Sequence, residues 1–196
     1  MIKEINPTKE YLKAITGKFD LETIFVLNLE EKNISKLNGI ILCVNLTILN
    51  LSSNKLNSVS GISSLKELKY LDLSYNMITN LDDLEYLNNL RLLKLQGNKI
   101  EMPKNFNQKF INHIHLEKLS FQQFDMNKKS QNPICKIDNY RNEMFNVFTN
   151  LKILDFIKKD SETLIECFKD KHKKNNLLEI KEINVSEYNF DFKQSK

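Results

Sequence analysis

One apolar spacing recurs along the chain at a fixed step of 22 residues. Leu46, Leu49, Leu51, Asn54 and Leu56 are followed by Leu68, Leu71, Leu73, Asn76 and Ile78, and then by Leu90, Leu93, Leu95, Asn98 and Ile100. An earlier copy runs Ile24, Leu27, Leu29, Ile34, with Lys32 where the asparagine belongs. Further columns keep the same step: Leu37, Val59, Leu81, Pro103; Ile40, Ile62, Leu84, Phe106; and Cys43, Leu65, Leu87, ending at Lys109. In the first three repeats all 21 positions of the seven columns are apolar. A unit this short cannot bury its own apolar side, so the repeats must stack and share one continuous core.

The columns have distinct physical meanings. Leu49, Leu71 and Leu93 alternate with variable residues, which directs them inward from a parallel sheet. Asn54, Asn76 and Asn98 stand where the chain leaves each strand, and a short amide there can satisfy backbone groups in its own turn and in the neighbouring one. Val59, Ile62 and Leu65 are spaced by three, which predicts short 3₁₀ or irregular turns on the outer face. The repeating string LxxLxLxxNxL is the leucine-rich repeat signature. The predicted fold is an α/β leucine-rich repeat solenoid with a curved parallel sheet, helical at its N-terminal cap and closed by a leucine-rich repeat cap at its C-terminal end.

Both ends of such a stack need covering. Residues 1–23 read as the N-terminal helical cap. Pro7-Thr8 opens a helix over 7–16 with Tyr11, Leu12 and Ile15 apolar, and Gly17 stops it. Residues 24–124 hold four regular repeats and one irregular repeat, Leu116, Leu119, Phe121 and Phe124. That fifth copy comes 26 residues after the fourth, with Phe124 in the asparagine position. Residues 101–115 and 125–132 then read as loop insertions. Residues 125–156 form the C-terminal cap, with a helix predicted over 139–150 and a strand-like edge at Leu151, Ile153 and Leu154. Residues 157–196 read as a C-terminal helix and tail. Ser161 can cap a turn carrying Leu164, Ile165 and Phe168, and apolar and polar residues alternate from Ile183 to Phe192.

The 22-residue step resembles the intracellular SDS22-like leucine-rich repeat class. The block Asn132-Pro133-Ile134-Cys135, Tyr140-Arg141, Phe148, Asn150-Leu151-Lys152, Leu154-Asp155 resembles the C-terminal cap of that class, which also occurs in spliceosomal A′-type and ciliary leucine-rich repeat proteins. That cap usually ends Leu-Asp-Gly; Phe156 replaces the glycine, so a different exit turn is expected. A lead-in, Leu12-Lys13 and Thr16-Gly17-Lys18-Phe19-Asp20-Leu21-Glu22, is similar to that of one group within the class. The resemblance covers roughly residues 10–156 and implies an intracellular binding scaffold, with association with cilia or microtubule structures.

Stacking lines up the variable strand positions on the concave face. One column holds Val26, Ile48, Tyr70, Leu92 and Lys118; the next holds Asn28, Asn50, Asp72, Lys94 and Ser120. Beyond them lie Glu30, Ser52, Ser74, Gln96 and Gln122, then Glu31, Ser53, Tyr75, Gly97 and Gln123. Four consecutive apolar outward residues beside a polar column suit a partner helix or peptide, and tyrosines are frequent interface anchors. The same residues also suit plain strands, and a C-terminal segment of this chain could cover them. The predicted partner-binding residues are Val26, Asn28, Ile48, Asn50, Tyr70, Asp72, Tyr75, Leu92 and Lys94.

Other chemistries find little material. The net charge is +4, with 29 basic and 25 acidic residues interspersed. The densest basic run, Lys169 to Lys174, reads as a solvated helix end, so direct nucleic-acid binding is not expected. The longest apolar run, Ile40 to Val44, is too short to span a membrane, and residues 1–4 carry no apolar leader. Cys43, Cys135 and Cys167 are widely spaced and read as reduced thiols, consistent with a cytoplasmic location. His113 and His115 have no third ligand at a metal-like spacing and read as ordinary polar residues. Asp82-Asp83 reads as the start of an outer helical turn. No phosphate loop, catalytic triad or nucleophile elbow occurs. The expectation is a monomeric, non-enzymatic, cofactor-free protein-interaction scaffold, cytoskeletal or ciliary in setting. The alternatives are a spliceosomal A′-like ribonucleoprotein subunit and an SDS22-like phosphatase-regulatory module.

Overall fold

Leucines that alternate in three-residue strands, repeated every 22 residues, build a sheet one strand per repeat. In the computed structural model, which describes residues 4–123 and 131–159, the strands are β1 (Val26–Asn28), β2 (Ile48–Asn50), β3 (Tyr70–Asp72), β4 (Leu92–Lys94), β5 (Lys118–Ser120), β6 (Ile153–Leu154) and β7 (Ile157–Lys158). They lie in sequence order; β1 to β6 are parallel and β7 turns back antiparallel to β6. The register stacks Leu27, Leu49, Leu71, Leu93, Leu119 and Leu154 in one inward column. Leu71, Leu73, Leu119 and Leu154 are completely buried.

On the outer face the residues spaced by three form 3₁₀ turns at Asn38–Leu42, Ile62–Ser64 and Leu84–Tyr86. Ile40, Ile62 and Leu84 point from them into the core. Asp83 precedes the third turn, but its carboxylate does not cap that turn. It accepts the Gly61 N–H of the preceding repeat at 2.6 Å, and so ties two outer turns together.

The N-terminal end is covered by helix α1 (Lys9–Thr16). Thr8 Oγ1 caps it by accepting the Tyr11 N–H, and Gly17 ends it in the left-handed conformation. The cap docks through backbone contacts: Gly39 N–H donates to Pro7 O at 2.8 Å, and Ile5 pairs in parallel with Ile34. A side chain at Gly39 would bring its Cβ within 2.5 Å of Pro7 O, so only glycine allows this approach.

Two sequence expectations at the C-terminal end change. Residues 101–115, read as a loop insertion, contain helix α2 (Phe106–Phe110), whose Phe106 and Phe110 are buried. Phe106 keeps the column of Ile62 and Leu84, so the insertion lengthens the outer face without leaving the core. Helix α3 (Tyr140–Val147) then covers the last repeats with Tyr140, Met144 and Phe145. The exit from β6 is a two-residue hairpin turn, with Asp155 at φ 50° and Phe156 at φ 68°. Phe156 thus takes the backbone conformation of the expected glycine, and its ring is buried beside Ile153.

Asp155 is the polar pin of this end. Its carboxylate accepts Phe121 N–H (2.8 Å), Gln122 Nε2 (3.1 Å) and Tyr140 OH (3.1 Å), with Arg141 at 3.5 Å. Burial pushes its carboxyl above the usual carboxylate range, against the pull of these donors. The expected helix around Leu164 and the alternating stretch Ile183 to Phe192 lie outside the described residues, as do Phe124 and Cys167.

Candidate functional site

The site is built on the outward side of the parallel strands. Their register places Val26, Ile48, Tyr70, Leu92, Lys118 and Ile153 in one column, and Asn28, Asn50, Asp72, Lys94 and Ser120 in the next. The middle strands line a groove of about 300 Å³, with Ile48, Tyr70 and Leu92 along its floor and Glu30, Tyr75 and Lys94 among its walls. The apolar column differs from its expected exposure. Ile48 and Leu92 are only 9% and 6% exposed, whereas Val26 and Tyr70 are half-buried. Neither Ile48 nor Leu92 belongs to the inward core, so these two are buried on the outward side of the sheet.

The polar column has a structural task that the sequence reading overlooked. Asn28 Oδ1 accepts Glu30 N–H at 3.1 Å, Asn50 Oδ1 accepts Ser52 N–H at 2.9 Å, and Asp72 Oδ1 accepts Ser74 N–H at 3.0 Å. Each side chain folds over its own backbone two residues on, the geometry of an Asx turn. Lys94 has no acceptor to offer, so the pattern ends there, and its ammonium pairs with Asp72 at 3.4 Å. These residues shape the groove wall and hold the strand exits.

Beyond the rim, Glu31, Ser53, Tyr75 and Gly97 all have positive φ, between 54° and 72°. The four regular repeats therefore impose a left-handed residue at this point of the turn, which the irregular fifth, at Gln123, does not. Gly97 adopts it without strain and leaves space that the Tyr75 ring fills; a Cβ at Gly97 would meet that ring at 2.6 Å. Tyr75 pays a conformational cost to present a ring that stays 40% exposed beside the groove.

Behind the strands the asparagine ladder fixes the spacing between repeats. Asn54 Oδ1 accepts Ile34 N–H (2.9 Å), and its Nδ2 donates to Leu29 O (2.8 Å), both in the preceding repeat. Asn76 does the same with Leu56 N–H and Leu51 O, and Asn98 with Ile78 N–H and Leu73 O. A fourth rung comes from Asn132, assigned by sequence to the cap. Its Oδ1 accepts Ile100 N–H (2.9 Å) and its Nδ2 donates to Leu95 O (2.8 Å). It fills the position that alignment gave to Phe124. Lys32 breaks the pattern at the first repeat, which has no repeat before it to tie.

The remaining candidates carry no chemistry of their own. His113 is buried, not an ordinary polar loop residue. Its Nε2 lies 3.0 Å from Leu84 O, which can only accept, so the proton sits on Nε2 and Nδ1 is left without a partner. Burial holds its imidazole below the usual range. Burial likewise pushes the Cys43 thiol up to about 11, and burial with the nearby Asp155 charge pushes Cys135 up to about 12; both are poor nucleophiles. Among the described residues no group of three or more His, Cys, Asp or Glu is placed to hold a metal ion, and no helix is long and apolar enough to cross a membrane.

Residues 44–86 match the family described as leucine rich repeats, in two copies. No curated protein matches the sequence. Among solved structures, an internalin (inlF) from Listeria monocytogenes is similar over 74% of this chain and 41% of its own, with 23% identity and a TM-score of 0.56. An internalin C2 from the same organism is similar over 77% of this chain and 57% of its own, with 23% identity and a TM-score of 0.54. A chain of the Drosophila melanogaster SNF/U2A′ complex is 27% identical over 74% of this chain and 82% of its own, with a TM-score of 0.55. The chain thus spans about half the length of the two internalins. The fold is a leucine-rich repeat fold: a parallel sheet with short helical turns outside it.

Proposed function

We propose that this chain is a non-enzymatic protein-interaction scaffold that receives a helix or extended peptide of another protein on its concave face. The observation that carries the reading is the outward column Ile48, Tyr70 and Leu92, aligned by the parallel register inside a groove and bordered by Asn50, Asp72, Lys94 and Tyr75. An apolar floor with a polar rim and two tyrosines has the composition of an interface centre.

The setting follows from the lead-in at residues 12–22, which is similar to that of leucine-rich repeat-containing protein 61. On that basis the partner belongs to a ciliary, axonemal or other cytoskeletal assembly, and the protein works in the cytoplasm as a monomer until it binds. A second reading is a ribonucleoprotein subunit of the spliceosomal A′ type. The likeness to a chain of the SNF/U2A′ complex and the shared C-terminal cap favour it. A phosphatase-regulatory role of the SDS22 type would draw on Glu30, Asp72 and Tyr70, but Asp72 is already engaged by Lys94 and Ser74.

Affinity purification of the tagged chain followed by mass spectrometry separates the readings. Cytoskeletal or ciliary proteins are expected; small-ribonucleoprotein subunits without them would overturn the first reading in favour of the second. The double variant Tyr70→Ala, Leu92→Asp is expected to abolish recovery while lowering Tm only slightly, and unchanged recovery would move the site off the concave face.

A further inference from the structure

We infer that the concave groove is also the docking site of this chain's own C-terminal segment, residues 183–192, so that tail and partner compete for one surface. The inference uses the same groove as the proposed function but requires no partner.

The first observation is burial on the wrong side of the sheet. Ile48, Leu92 and Ile153 belong to the outward column, yet are 9%, 6% and 5% exposed. Ile153 and Phe156 form a small apolar cluster separate from the core. The chain's own Phe156 thus covers Ile153, and Ile48 and Leu92 offer further apolar surface along the same column beyond Lys118.

The second observation is where the chain goes. The Asp155-Phe156 turn sends β7 back along β6, and Lys159 N–H donates to Lys152 O at 2.8 Å, beside Ile153 in the outward column. The sequence therefore continues from the edge of the same sheet. Crossing from β7 to β1 takes six inter-strand steps, about 29 Å at ~4.8 Å each. Residues 160–182 can reach about 75 Å when extended, so distance imposes no obstacle.

The third observation is chemical. The segment Ile183-Asn-Val-Ser-Glu-Tyr-Asn-Phe-Asp-Phe192 places Ile183 and Val185, and then Tyr188, Phe190 and Phe192, at alternate positions. If extended, the segment presents Tyr188, Phe190 and Phe192 on one side, which suits the floor of the groove, and Ile183 and Val185 on the other.

The chain contains no tryptophan, so Tyr70→Trp in the full chain gives a single reporter on the groove floor. Its emission is expected to be blue-shifted and weakly quenched by acrylamide. Adding Phe190→Asp and Phe192→Asp should shift emission to the red and raise the quenching constant about threefold, as for an apolar patch that loses its cover. A synthetic peptide of residues 181–194 added in trans should reverse the change. Equal quenching with and without the tail substitutions would overturn the inference. Quenching that varies with protein concentration but not with the tail would assign the cover to a second copy and overturn it as well. If Tyr70→Trp lowers Tm sharply, Tyr75→Trp supplies the same readout from the rim. Loss of partner recovery in the purification above leaves this experiment unaffected, so the two claims fail separately.

Discussion

Asn76 is a small residue with a large share of the architecture. Its Oδ1 holds the buried Leu56 N–H, and its Nδ2 is shared among Leu51, Leu73 and Ser74 carbonyls at 2.9–3.2 Å. Asn76→Ala leaves these groups without partners where water cannot reach, at about 1–3 kcal/mol for each unsatisfied group. A loss of about 3 kcal/mol or more in urea melts is expected, and a loss under about 1 kcal/mol would contradict the ladder. Leu71→Ala, at a fully buried position, should cost about 2–5 kcal/mol through the cavity it leaves. Tyr75→Gly is expected to behave oppositely. It removes a left-handed tyrosine at the cost of its packing on Gly97, so stability should stay within about 1 kcal/mol of wild type while binding falls. The ladder and core were legible in the sequence because a 22-residue period exposes columns directly. The Asx turns of Asn28, Asn50 and Asp72 were not, because an outward polar column reads the same whether its side chains meet a partner or their own backbone.

At the scale of elements, the irregular fifth repeat shows how an insertion is absorbed. Asn132 Nδ2 donates to Phe121 O eleven residues back, whereas Asn54 reaches the equivalent Leu51 O three residues back, yet both make the same cross-repeat bonds. The backbone groups of the preceding repeat demand an amide and accept it from a later point in the chain. A fixed-step alignment stops at Phe124 and so cannot find it. Asn132→Ala should accordingly destabilise the fold about as much as Asn76→Ala. The element next to it responds to pH. His113 is wedged among Phe110, Phe148 and the Leu84 carbonyl, with Nδ1 unpartnered. Protonation would place an N–H⁺ in an apolar site with nothing to accept it. Its folded pKa is depressed, so below about pH 6.5 the unfolded chain binds a proton that the folded chain lacks. The stability from neutral His113 is complete above that pH and is lost as pH falls through it toward the folded value. Melting curves between pH 8 and 5 should show this slope, and His113→Phe should reduce it.

At the scale of the molecule, stacking converts a one-dimensional pattern into a surface. Six parallel strands carry the same outward positions into register, so residues 22 apart in sequence become neighbours in one groove. That surface was legible as columns, but its state was not. The low exposure of Ile48 and Leu92, and the cover that Phe156 gives Ile153, are set by the three-dimensional stacking, which no local spacing records. Under the two proposals above, partner and tail compete for one groove, and the balance between them sets how readily a partner binds. Phe190→Asp with Phe192→Asp should therefore strengthen partner capture. The central claim is that partners enter through the concave face, and site-specific photo-crosslinking in cells tests it most directly. A photoreactive phenylalanine analogue at position 70 should yield a partner adduct, increased by the two tail substitutions, while the same group at the outer-face position 86 should yield none. Adducts from position 86 with none from position 70 would contradict the account.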